Sequence, residues 1–214
     1  MQDHLAVEAS EHVIVEPKFK PVHVRIARHV SNILAPVTIS LPLVVLVALY
    51  RARNVPVALF YALITLFFLS IGPLIYILMA VRMGKISDVD VSRRAERAGP
   101  FLFGISSVLV GWLALIILQG PRDLQTVLII TAVSGVVMMV TTLWWKISIH
   151  ASTMGGAATM LTAFYGAVML PTFLLLILVS WSRVVLRRHT VLQVVAGSLV
   201  SIALTLLVLK IRGI

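Results

Sequence analysis

Apolar runs long enough to cross a bilayer recur along this 214-residue chain, at roughly 33–50, 56–81, 101–119, 124–145, 151–169, 171–184 and 190–209. A spanning helix needs about 20 such residues, because backbone N–H and C=O groups in hydrocarbon find no water and must satisfy one another. With 60% of residues hydrophobic and 12% charged, the chain reads as all-α, a polytopic transmembrane bundle of six to seven spans. Residues 1–30 are polar, with Lys18, Lys20, Arg25 and Arg28 interleaved with Val22, Val24 and Ile26, and read as a short basic arm at the membrane interface. Residues 31–214 make up the transmembrane domain. The start, carrying Asp3, Glu8, Glu11 and Glu16, lacks the basic and short apolar regions of a secretory signal, so no cleavage is expected.

Two of the runs meet at Met169-Leu170-Pro171-Thr172 with no charged loop between them. One helix of about 34 residues would run ~50 Å against a hydrocarbon core of ~30 Å, which predicts a tight hairpin instead. Seven crossings put the arm, the 82–100 loop, the 145–150 turn and the 182–189 turn on one face. The other face receives Arg51-Ala52-Arg53, Gly120-Pro121-Arg122-Asp123 and the tail with Lys210 and Arg212. Only five of the 18 Lys and Arg residues fall on that second face, so the positive-inside rule points the first to the cytoplasm. The net charge of +10 is spread over span ends and short loops. That distribution fits an anionic lipid surface and not nucleic acid. The absence of cysteine removes disulfides, thiolate metal sites and cysteine nucleophiles together.

Three segments on the first face offer groups suited to a phosphate. In Asp90-Val91-Ser92-Arg93-Arg94-Ala95-Glu96-Arg97-Ala98-Gly99-Pro100, the residues Asp90, Arg94 and Arg97 recur at helical spacing, which would project two guanidiniums together. Lys146-Ile147-Ser148-Ile149-His150 supplies an ammonium, a hydroxyl and an imidazole at the junction of two spans. Ser182-Arg183 is followed by His189 near the start of the last run. Phosphoryl transfer needs neutralised equatorial oxygens, an in-line nucleophile and a proton for the leaving oxygen. Fixed cations meet the first need without a metal, and two histidines can meet the others as nucleophile and acid. His150 and His189 are the two of the six histidines outside the arm; His4, His12, His23 and His29 receive no role.

Plainer readings exist for several of these groups. Arg187, Arg188 and Lys146 also suit snorkelling interfacial anchors, and Arg93, Arg94 and Arg97 suit a solvated loop paired with Asp90 and Glu96. Asp88 and Asp90 could hold Mg²⁺ on a pyrophosphate, but no second acidic cluster answers them across the spans. The same deficit argues against prenyltransferases and phosphatidyl-alcohol transferases, so no metal and no cofactor are expected. Gly155-Gly156 and Gly104 with Gly111 predict close helix packing, and Trp144 with Trp145 mark the interface.

The three segments resemble the motifs of the type 2 phosphatidic acid phosphatase family of membrane phosphatases over roughly residues 88–200. The family's third motif is Ser-Arg, five residues, His, three residues, Asp; here Ser182-Arg183, five residues and His189 are followed by Gln193 where Asp is expected. Its second motif is Pro-Ser-Gly-His, and Ile147-Ser148-Ile149-His150 keeps the serine and histidine. Its first motif is Lys, six residues, Arg-Pro, which Arg94, Arg97 and Pro100 resemble as a shorter, arginine-rich variant. The resemblance implies His189 as nucleophile, His150 as general acid, and Ser148, Arg183, Lys146, Arg94 and Arg97 as phosphate ligands, supported by Gln193, Asp90 and Glu96. A glutamine can orient the ring through its carbonyl oxygen but cannot stabilise an imidazolium by charge, so lower activity or help from Asp90 or Glu96 is expected. The implied activity is metal-independent hydrolysis of a lipid phosphate or a polyprenyl phosphate or diphosphate. The alternatives are a lipid phosphoryl transferase of the same fold and a catalytically weak lipid-phosphate-binding protein.

Overall fold

The computed structural model describes residues 21–50 and 52–214. Lys18 and Lys20 of the expected arm, and Arg51 of the first short turn, lie outside them. The described residues form helices α1 (Val22–Ile33), α2 (Pro36–Leu49), α3 (Val55–Leu66), α4 (Gly72–Arg82), α5 (Ala98–Ile117), α6 (Arg122–Trp144), α7 (Ile149–Tyr165), α8 (Thr172–Val185) and α9 (Val191–Arg212), with no strand among them. Large apolar side chains such as Leu63, Ile117, Ile177 and Ile211 are exposed on the outside of the bundle. Such a surface is stable only in hydrocarbon, and the chain is an integral membrane protein.

Local chemistry sets the breaks. Pro36 occupies the first turn of α2 behind an extended Ala35, and α1 and α2 meet at a bend of 43°. Asn54 caps α3 by accepting from Val57 N at 3.1 Å. Between α3 and α4 the chain widens into a π-helix, Phe67–Ile71, ahead of Gly72-Pro73. Proline has no N–H to continue the ladder, and the wide turn absorbs the mismatch. The Phe68 carbonyl in that turn accepts from Ser107 Oγ on α5 at 2.7 Å. Gly166, at φ 75, ends α7, and a 3-10 turn, Gly166–Met169, leads through Pro171 into α8. α8 folds back against α7, so this pair is the hairpin that length predicted and not one kinked helix.

Four helical stretches, Val55–Arg82, Arg94–Ile117, Arg122–Trp144 and Val191–Arg212, are long and apolar enough to cross a membrane, or five if bent α1–α2 counts as one span. α7 has 17 residues and α8 has 14, so the six to seven segments counted from hydropathy include two of less than spanning length. For α7 the reason is position. α7 is the inner helix, with His150, Ala151, Met154, Ala158 and Phe164 among its buried residues, and α2, α8 and α9 pack against it. A helix largely shielded by protein need not match the hydrocarbon thickness.

Small residues bring these helices together. A Cβ on Gly155 would meet the Ser198 backbone at 3.3 Å, and one on Gly156 would meet Ser201 Oγ at 2.7 Å, which fixes the close approach of α7 and α9. On α5 a Cβ at Gly111 would lie 2.6 Å from Phe68 Cβ, whereas nothing lies within 4 Å of one at Gly104. Gly104 therefore departs from the packing role expected of it, because it faces an open cavity.

Candidate functional site

The end of α8 ties Arg183 to His189. Arg187 N donates to Val184 O at 2.9 Å and Arg188 N to Arg183 O at 3.0 Å, the paired bonds of a Schellman motif, with Arg187 in the left-handed region at φ 53. His189 N adds a bond to the same Arg183 carbonyl at 3.3 Å. The turn thus returns the chain over the last turn of α8 and sets the imidazole near the guanidinium, both buried at 7% and 3% exposure.

α9 then begins with a capping box. Thr190 Oγ1 accepts from Gln193 N at 3.3 Å, and Gln193 Oε1 accepts from Thr190 N at 3.2 Å. Gln193 Oε1 also lies 3.2 Å from His189 Nδ1. A backbone N–H can only donate, so the amide atom facing Thr190 is the oxygen, and His189 Nδ1 must carry the proton that it accepts. The lone pair of the ring therefore sits on Nε2. In this loop, burial first, and then the cations Lys146, Arg183 and Arg97, push the His189 pKa down to about 3, against the opposing Gln193 bond.

The second segment arrives from α6. Ser148, fully buried, caps α7 by accepting from Ala151 N at 3.4 Å, and Ser148 N donates to Gln193 O at 3.3 Å. A Cβ on Gly197 would lie 2.8 Å from Ser148 O, so glycine is what lets the second turn of α9 approach this stretch of backbone. His150, at 7% exposure, follows in the first turn of α7, with Arg183, Asp90 and Arg97 as its charged neighbours. Lys146 Nζ donates to Arg188 O at 2.8 Å. Burial, then Arg97, Arg183 and Arg188, lower its pKa.

The first segment departs from the helical spacing read in the sequence. Residues 83–93 form a loop, followed by a 3-10 turn, Arg94–Glu96, before α5. Arg94 and Arg97 consequently diverge. Arg97 is buried at 3% exposure, and it donates through Nε to Val91 O and through Nη1 to Ile147 O, each at 3.1 Å, which joins this loop to the second segment. Arg94 is exposed and donates to Leu143 O at 2.9 Å on the flank of α6, apart from the other groups. Glu96 accepts from Ser87 N and Oγ at 2.8 Å and pairs with Arg93 at 3.5 Å, so it braces the loop and does not face the histidines. Asp90 is the acid that enters the cluster, with Oδ2 at 3.0 Å from Arg183 Nη1. Burial alone would raise its pKa, but Arg183, His150 and Arg188 outweigh that and hold it below the usual carboxylate value. Its neighbour Val91 is β-branched yet has φ 46, a strained conformation at the edge of the cluster.

Two contacts were not signalled by the sequence. Ser31 Oγ, on α1, accepts from Arg183 Nη1 at 2.7 Å, and Ser92 Oγ accepts from Arg188 Nη1 at 3.0 Å. No motif or spacing marks Ser31, which lies 152 positions from its partner. Arg183 Nε, buried, has no partner at all.

A cavity of about 380 Å³ opens from the cluster between the helices. Asp90, Arg97 and His150 stand at its polar end, and Leu43, Leu74, Val108 and Val127 are among the apolar side chains along it. His189, Arg183, Ser148 and Lys146 are not part of its wall. Among the described residues no group of three or more His, Cys, Asp or Glu side chains is placed to hold a metal ion.

Residues 141–213 match the sequence model of the PAP2 superfamily, about a third of the chain. The match spans the second and third segments, with Ser148, His150, Ser182, Arg183 and His189, in line with a type 2 phosphatidic acid phosphatase, and it supports a phosphatase-type function. It does not reach Asp90, Arg94 or Arg97. Searches of curated proteins and of solved structures gave no match.

Proposed function

We propose that the chain hydrolyses a lipid phosphate, or a polyprenyl phosphate or diphosphate, through a phosphohistidine on His189. The observation that carries this reading is the orphaned Nε of Arg183. An N–H donor removed from water without an acceptor costs roughly 1–3 kcal/mol, more when the group is charged, and a bound phosphate oxygen would meet that need. The cations Arg97 and Lys146 act electrostatically on both Arg183 and His189, and Arg97 is bonded to Ile147 O just ahead of the N-terminal end of α7, a set that attracts an anion.

In the first step the His189 Nε2 lone pair attacks phosphorus, the bond from phosphorus to the lipid oxygen breaks, and His150 gives that oxygen its proton. In the second step water attacks the phosphoryl-histidine, its proton passes to His150, and inorganic phosphate leaves as His189 regains its lone pair. Arg183, Arg97 and Lys146 offset the charge spread over the equatorial oxygens. The apolar cavity beyond His150 accepts the hydrocarbon chain. The surplus of Lys and Arg on the site's face supports a cytoplasmic orientation of the site, in what we read as the cell membrane.

The test uses detergent-purified full chain and a panel of phosphatidate, phosphatidylglycerol phosphate and isoprenyl mono- and diphosphates, with and without chelator. Release of phosphate that persists in chelator, is lost in His189→Ala, and passes through an acid-labile phosphoryl-protein is expected. Hydrolysis by His189→Ala at the wild-type rate overturns the reading, and transfer of label to an acceptor other than water replaces hydrolase with transferase.

A further inference from the structure

Arg183 is held at one corner only. Its Nη1 carries two protons, and both are spoken for: one by Ser31 Oγ at 2.7 Å, the other by Asp90 Oδ2 at 3.0 Å. The guanidinium is planar, so fixing Nη1 fixes the direction of the Nε–H as well, and that donor is the one left buried without a partner. The two anchors differ in kind. Asp90 sits in a loop, keeps 39% of its side chain exposed and precedes the strained Val91. Ser31 is 4% exposed, near the end of a helix packed along α8. A hydroxyl held by helix packing sets an angle that a half-exposed carboxylate on a loop cannot set alone.

We propose that Ser31 is a positioning residue of the phosphate site: it fixes the Arg183 fork so that Nε addresses the anion. This assigns α1 to the site, although its basic and apolar residues read in the sequence as an interfacial arm alone. The inference rests on the phosphatase reading above, and it concerns a residue outside the matched segment 141–213.

The experiment measures orthovanadate binding to the detergent-solubilised full chain by calorimetry, alongside turnover of the best panel substrate, for wild type, Ser31→Ala, Ser31→Thr and His189→Ala. Ser31→Ala is expected to weaken vanadate affinity about tenfold at unchanged stoichiometry and to raise KM more than it lowers kcat, while Ser31→Thr, which keeps the acceptor, restores affinity to within about threefold. A merely structural role would lower the binding stoichiometry and kcat together and leave the affinity of the folded fraction as it was; that result, or wild-type affinity in Ser31→Ala, overturns the proposal. Should Ser31→Ala not fold, Ser31→Cys, of similar shape but a weak acceptor, takes its place with the same two outcomes. Loss of hydrolysis in His189→Ala with an unaffected Ser31→Ala sinks the role of Ser31 alone. Absence of vanadate binding in wild type, or full activity in His189→Ala, sinks the phosphate site itself.

Discussion

One oxygen, Gln193 Oε1, receives both the backbone N–H that starts α9 and the Nδ1 proton of His189, each at 3.2 Å. The residue that completes the capping box of α9 is therefore the residue that sets the ring's tautomer. Gln193→Leu removes both functions and is expected to lower kcat by about a hundredfold and to destabilise the protein by about 1 kcal/mol, read from turnover and thermal midpoint. Gln193→Glu keeps the cap and places a charge against the ring. It is expected to raise kcat several-fold by stabilising the imidazolium that the proposed phosphohistidine step would create, and a fall in kcat would refute this account of the pair.

The same bond makes a spectroscopic prediction. With a folded pKa of about 3, His189 loses its proton far below neutrality, and its charged form appears only as pH falls through that value. An ordinary unfolded histidine takes its proton near ~6.5, so between there and about 3 the unfolded chain binds the extra proton and stability falls as pH is lowered. Nitrogen-15 histidine spectra of the protein in micelles should show a neutral, Nδ1-protonated ring for His189 from pH 8 to pH 5. A titration centred near pH 6.5 would contradict the environment described.

Gly197 and Gly111 separate site geometry from general packing. A methyl at Gly197 would press on the Ser148 carbonyl at 2.8 Å, and backbone cannot step aside as a side chain can. Gly197→Ala should lower both stability, by roughly 1–3 kcal/mol, and kcat/KM of the folded fraction, by at least tenfold. A methyl at Gly111 would meet Phe68 at 2.6 Å, away from the histidines. Gly111→Ala should destabilise by a similar amount while the folded fraction keeps its kcat/KM.

Arg187 holds a left-handed conformation, φ 53, at the position where helices favour glycine. Arg187→Gly is expected to stabilise the protein by about 1 kcal/mol, seen as a higher thermal midpoint, with turnover within twofold of wild type. A large loss of activity would mean that this side chain contacts substrate.

The helical architecture and the pairing of the second and third segments were legible because apolar runs and the Ser182-Arg183 and His189 spacing are local signals. The hairpin at Pro171 followed from length alone. The grouping of Arg94 with Arg97 failed for a physical reason: the helical period applies only where a helix exists, and residues 83–93 are a loop followed by a 3-10 turn. Arg97 instead spends its donors on Val91 O and Ile147 O, carbonyls that no side-chain pattern announces. Ser31 was invisible for another reason. A serine within a short amphipathic stretch looks like part of its polar face, and only the packing of α1 on α8 turns that face toward Arg183. Gln193 looked like a departure from the expected Asp; its second bond, to Thr190, shows the local use that the longer amide serves.

α7 leaves the ribosome before the helix that covers its glycines. Its Gly155 and Gly156 fit only against Ser198 and Ser201, which are synthesised some forty residues later. Until α9 emerges, a short helix bearing His150, Ser152 and Thr159 has no finished cleft to enter, and hydrocarbon is a poor host for those groups. Membrane insertion of the residues that carry His150 is therefore expected to finish only once α9 is in place, and a nascent chain halted ahead of Val191 should leave this segment outside the lipid, open to a membrane-impermeant protease.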